Sequence, residues 1–172
     1  MRSTKALFRM FSLVFLSVLL SGLPTSPVSA QDNKPVNLQF VGAGGGPPNV
    51  VVLGDGTVIF KITVFESVNG DLAGTLTEKV TQVYPVSEEN GLLPITTAWK
   101  LQTAEGTIEG YYSGEFHHMQ DGDHVITQHG EVLSVTGAYV SLYQAKVSYH
   151  AVLLADHMTI SGTMTIRPRE KR

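Results

Sequence analysis

The residues best suited to chemistry in this chain are its six histidines, all of which fall between His117 and His157. A zinc or copper site needs three or four convergent ligands, usually held at specific spacings. His117 and His118 are adjacent and so point to opposite faces of a strand, His150 shares a polar face with Lys146 and Ser148, and His157 falls in a turn. Only His118, His124 and His129 can approach one another. No ligand motif is matched, so the expectation is scattered surface and loop histidines, with no metal and no cofactor.

Glu78 is the second candidate. It shares strand parity with Leu72, Leu76 and Val80, so a regular strand turns its carboxyl inward, where burial would raise its pKa and make it an acid or base. A bulge or strand end would instead return it to water, because Thr77 and Lys79 make neither face decisively apolar. Glu78 and His118 are therefore the two catalytic candidates. The glycine loop Gly42 to Pro48 follows an apolar stretch, but a phosphate cradle needs a helix N-terminus next, and two prolines and Val50-Val51-Val52 follow instead. It reads as a linker. No nucleophile elbow, zinc-protease helix or dinucleotide fingerprint is present, and Ser141 and Ser148 lack the strand-turn-helix context that proximity to histidine would need.

The elements that must position these groups are strands. In the last hairpin, Ala145, Val147, Tyr149, Ala151 and Leu153 alternate with Lys146, Ser148 and His150, and Met158, Ile160, Gly162, Met164 and Ile166 alternate with threonines and Ser161. Pairing around a Leu154 to His157 turn sets Leu153 opposite Met158, Tyr149 opposite Gly162 and Val147 opposite Met164, with the ring covering a bare glycine. Earlier, Val36 to Val41 reads as a strand, Val58 to Val64 alternates, Asn69-Gly70-Asp71 is a hairpin turn, and Ile95, Thr97, Trp99 and Leu101 share a face. Trp99 falls beside Gly110. At the Asp121 turn, a two-residue loop sets His118 opposite Val125. A three-residue loop with a bulge sets His118 opposite Ile126 and Phe116 opposite Gln128. The second aligns more apolar residues and places His118 and Gln128 inside. Turn-punctuated strands without a helix predict an all-β fold, a single antiparallel up-and-down barrel of about eight strands resembling the calycins, with a β-sandwich as the alternative.

Arg2, Lys5 and Arg9, the apolar run Met10 to Leu20 and the small residues Val28-Ser29-Ala30 form a three-part signal peptide over residues 1–30, with cleavage after Ala30. The apolar run is shorter than the roughly 20 residues that span a bilayer. The expectation is a secreted or periplasmic protein with no membrane span after cleavage. Residues 31–48 read as a flexible segment and linker, 49–166 as the barrel domain and 167–172 as a basic tail. The chain has 12 Lys and Arg against 15 Asp and Glu; loss of the signal's three basic residues leaves 9 against 15, a formal −6, which gives no electrostatic reason to bind nucleic acid. There is no cysteine, hence no disulfide and no lipid anchor on one.

The stretch Val135-Thr-Gly-Ala-Tyr-Val-Ser-Leu-Tyr-Gln-Ala145 resembles the allene oxide cyclase and dirigent barrels. Their shared pattern runs Val, any, Gly, Gly, any, Gly, any, Phe, two residues, Ala, any, Gly before the last long hairpin. Val135, Gly137 and Ala145 match, Leu142 stands for the aromatic, and Ala138, Val140 and Val147 stand where the family has glycine. The likeness covers Thr107 to Ile166. It implies an eight-stranded barrel with an apolar cavity, whose members steer cyclisation or radical coupling of a bound small molecule by confinement. None of the family's catalytic residues is placed on this chain by motif.

Three functional readings follow. The first is an exported barrel holding a small hydrophobic molecule against Trp99, Tyr112, Phe116, Gln128, Tyr149 and Met164. The second is a cofactor-free cyclase or isomerase using Glu78 or His118. The third is a solidly packed envelope or matrix protein. A homo-oligomer is compatible with each.

Overall fold

In the computed structural model, which describes residues 34–88 and 91–170, the chain closes into an antiparallel barrel. The expected signal peptide and its cleavage site lie outside the described residues. In chain order the strands are β1 (Val36–Gly44), β2 (Asn49–Val52), β3 (Thr57–Gly70), β4 (Gly74–Pro85), β5 (Leu92–Thr103), β6 (Gly106–His118), β7 (His124–Val135), β8 (Lys146–Leu153) and β9 (Thr159–Arg167). Neighbours run β1-β9-β8-β7-β6-β5-β4-β3, and β1 also pairs with β3, so eight strands form an up-and-down barrel. The ninth, β2, extends along the first half of β3 after β1 has paired with the second half. The sandwich alternative is excluded by this closure.

The barrel begins earlier than residue 49. Although 31–48 reads as a flexible segment, β1 pairs residue for residue with β9 and with β3 and buries Val36, Leu38 and Phe40, so it supplies the strand that closes the ring. The break is confined to the glycine and proline stretch between β1 and β2.

Strict alternation makes the strands. Along β5, Leu93, Ile95, Thr97, Trp99 and Leu101 are buried while the residues between them are exposed, and β4 alternates in the same way through Leu76, Glu78, Val80, Gln82 and Tyr84. Outward positions are mostly Thr, Ser, Lys, Glu and Gln. This polar outside and apolar inside is the reverse of the lipid-facing band of a transmembrane barrel. Among the described residues no helix is long and apolar enough to cross a membrane.

Two aromatic rings lie over strand glycines. Trp99 pairs with Gly110, and a Cβ on that glycine would come within 2.7 Å of the indole. Gly162 is covered by Phe40, whose ring would stand 2.6 Å from an added Cβ, whereas Tyr149 pairs with Met164. The last hairpin is therefore shifted by two residues from its expected pairing: Leu153 faces Ile160 and Val147 faces Ile166. The faces are unchanged. Asp156 explains the shift, because its carboxyl accepts from the backbone of Met158 and Thr159 and from the Thr159 hydroxyl, and so organises a longer turn. Between β6 and β7, likewise, neither expected register is adopted: His118 faces His124 and Phe116 faces Ile126, and the bulge lies at Glu109/Gly110 rather than at the turn.

The two ends of the barrel differ. At the end where β5 turns into β6, a 3₁₀ segment over Gly137–Leu142 connects β7 to β8 and tucks Tyr139 and Leu142 into the core beside Ile108, Val132, Val147 and Ile166. The Tyr139 hydroxyl meets Thr103 Oγ1 at 2.7 Å. At the opposite end, between the β6–β7 and β8–β9 turns, the interior is open.

Candidate functional site

The open half of the barrel contains a cavity of about 380 Å³, within the range of small-molecule sites. Its walls are mostly aliphatic and aromatic, including Ile62, Val80, Ile95, Phe116, Ile126 and Ile160, and all eight barrel strands contribute to the lining by the same inward parity. Polar groups gather at two levels. Glu78, Tyr149 and Gln128 lie deep, and His118, His124 and His157 lie at the mouth.

The deep level rests on a stack of rings across the barrel. Phe40 lies 4.8 Å from Tyr149, Tyr149 4.8 Å from Tyr112, and Tyr112 5.9 Å from Trp99, with interplanar angles of 12°, 28° and 19°. This fixes the Tyr149 hydroxyl between two carboxyls, 3.2 Å from Glu66 Oε1 and 3.3 Å from Glu78 Oε2. Both glutamates are almost wholly buried, at 1 % and 2 % exposure. Glu78 thus turns inward, and the strand carries no bulge that returns it to water.

Proton counting constrains this trio. A phenol has one hydrogen, so both contacts are satisfied when it donates to one carboxyl and the other carboxyl, protonated, donates to the phenol oxygen. At least one glutamate is then protonated. The electrostatics agree: burial pushes the Glu66 carboxyl up to about 8, against the opposing hydrogen bond from Tyr149. Burial, followed by repulsion from Glu66, raises Glu78 well above the usual carboxylate range. Burial and then the two carboxyls hold the Tyr149 hydroxyl in its neutral form. Among the described residues Glu66 Oε2 and Glu78 Oε1 have no hydrogen-bond partner. Beside them Gln128 Nε2 donates to Thr97 Oγ1 at 3.1 Å, a bond that holds the Gln128 amide against the wall.

At the mouth, His124 stacks on Phe116 at 4.9 Å, meets His118 edge-on at 4.6 Å, and lies 3.2 Å from His157 Nδ1 through its own Nε2. Burial, then the neighbouring His118 and His157, lowers the His124 pKa, so the ring favours its neutral form. Of the trio expected to converge, His129 does not join. It lies on the outer face against Ser148, 3.3 Å away, and His157 takes its place from the β8–β9 turn. Among the described residues, no three His, Asp or Glu side chains are grouped so as to hold a metal ion.

Comparison of the sequence with protein-family models and with curated proteins found no match.

Of the residues expected to line a ligand site, Phe116, Gln128 and Tyr149 do line the cavity, as do Glu78 and His118. Trp99, Tyr112 and Met164 do not. They are 3 %, 0 % and 1 % exposed and form the packed layer beneath its floor. The residue absent from the sequence reading is Glu66, although a signal was present: it continues the inward parity of Val58, Phe60, Ile62 and Val64 and precedes Val68 on the same face.

Proposed function

We propose that the barrel receives a small, predominantly apolar molecule through its open end. The observation that carries this reading is the cavity, whose apolar walls end at a floor with a few convergent polar groups, the usual composition of a small-molecule site. The likeness of Val135 to Ala145 to the allene oxide cyclase and dirigent barrels supports it, since their ligands occupy the barrel interior. The order of basic, apolar and small residues over 1–30 supports an exported protein. Titration with an environment-sensitive apolar dye, paired with native mass spectrometry of the purified chain, tests the reading. Saturable uptake of one dye per chain is expected, and a folded barrel that takes up none would overturn it.

A second reading is a cofactor-free cyclase or isomerase. It is favoured by Glu78, a carboxyl that lines the cavity, touches Tyr149 and has its pKa raised by burial, the environment in which a carboxyl works as an acid near neutral pH. Confinement of a flexible substrate against the apolar wall would supply the rest.

A further inference from the structure

The chemistry of the cavity floor narrows the class of molecule that fits there, given the reading that the cavity is a ligand site. Two carboxyls lie on one hydroxyl in the barrel interior, and none of the described residues lining the cavity is a lysine or arginine. An acidic ligand would bring a negative charge to a floor that offers two carboxyls and no cation. When the trio holds a single carboxyl proton, that proton is committed to the Tyr149 oxygen, whichever glutamate carries it. Burial raises the pKa of both carboxyls, so near neutral pH the empty trio holds a proton on each; once one is lost, Glu78 Oε1 is an acceptor and the trio carries one negative charge without a counter-ion. Among the described residues Glu78 Oε1 has no hydrogen-bond partner, and Glu78, 2 % exposed, is one of the residues lining the cavity.

We propose that the ligand is a small apolar amine, bound as its ammonium ion with one N–H donated to Glu78 Oε1 and its hydrocarbon part along Ile62, Val80 and Ile126. The ammonium supplies the counter-charge that the chain omits, and a charge-assisted bond to a desolvated carboxylate is stronger than a neutral one. Tyr149 continues to donate to one carboxyl while the other returns its proton to the phenol oxygen. The bond from the ligand nitrogen therefore forms without displacing the existing pair. Because the empty site holds a proton on each glutamate near neutral pH, amine binding expels one of them to solvent.

The groups facing Glu78 are Glu66 from β3 and Tyr149 from β8, and the other titratable groups of the cavity are Tyr84, His118, His124 and His157. Calorimetric titration of the whole protein with n-octylamine, 1-octanol and octanoate, each in two buffers of different ionisation enthalpy, separates their contributions. Octylamine is expected to bind roughly tenfold or more tightly than octanol, the scale of a charge-assisted contact. It should release protons near neutral pH, and octanoate should bind weakest. In Glu78→Gln the preference for amine over alcohol and the proton release should both disappear while octanol still binds. Should that variant fail to fold, proton release from the wild type decides. Octanol or octanoate binding as tightly as octylamine would overturn the amine assignment and leave the cavity reading standing. Failure of all three probes and of the apolar dye would overturn both.

Discussion

The closed and open halves of this barrel are built from the same eight strands and the same alternation, yet only one of them is filled. At the closed end the 3₁₀ segment adds Tyr139 and Leu142 to the interior, and Leu101, Ile108, Val132 and Ile166 are fully buried there. At the open end the strands run on past the last packed layer with no plug among the described residues, and half-buried Phe116 and Leu153 border space instead of side chains. The ring stack and the Glu66–Tyr149–Glu78 trio lie at the boundary between them. A barrel of this size can just be filled by its own side chains, so the contents of each end are a property of sequence and not of the backbone.

The largest expected effect probes the filled side of that boundary. Trp99 packs on Tyr112 and over Gly110, so Trp99→Ala should cost about 3 to 5 kcal/mol, as truncation of a tightly packed aromatic does. Phe116→Ala, on the cavity wall, removes a ring with fewer packed neighbours and should cost about 1 kcal/mol. Chemical denaturation of both variants measures the difference. Equal losses would mean that the open half is packed like the closed one.

The boundary itself predicts an unusual dependence on pH. Glu66 has its carboxyl raised from 4.5 to about 8 by burial, so between those values the folded state holds a proton that the unfolded state has released. Its contribution to stability is complete below about pH 4.5 and is lost as pH rises towards 8, at a slope approaching roughly 1.4 kcal/mol per pH unit. Glu66→Gln, which stays neutral, should remove that slope and be the more stable protein towards pH 8 relative to wild type at the same pH. Denaturation midpoints of the pair from pH 4 to 8 read the difference directly. Parallel curves would place a charged, compensated glutamate at the boundary.

How far the sequence revealed these two halves depends on what alternation can encode. Parity decides the face of a strand residue, and so the inward placement of Trp99, Phe116 and Tyr149 was legible, as was the match of Trp99 with Gly110. Parity does not decide register. Shifts of two residues in the β8–β9 pairing preserve every face, and the side-chain hydrogen bonds of Asp156 choose among them. Depth along the barrel was less legible still. Trp99, Tyr112 and Met164 face inward as expected but lie in the packed layer, because the position of the plug is fixed by tertiary packing of Tyr139 and Leu142. The Glu66–Glu78 pairing joins two strands through a tyrosine on a third, and no local pattern announces it.

The smallest expected effect is at the mouth, where the open half meets water. His124 is faced by His118, His157, Phe116 and Asp123, and its pKa is lowered by burial and then by the two other rings. The folded state therefore binds fewer protons at this ring than the unfolded chain does. Its contribution is present above the ordinary histidine value of 6.5 and is lost as pH falls through the lowered one. Water at the mouth screens the repulsion, so the loss should stay below about 1 kcal/mol. His124→Phe keeps an aromatic ring against Phe116 while removing the charge, and it should retain apolar dye as pH falls below 6.5, where the wild type begins to release it. Trp99 emission, reporting from the packed layer beneath the cavity, should stay constant over the same range in both proteins. A shift in Trp99 emission that tracks dye release would mean that protonation loosens the whole barrel, and the two halves would not be separable.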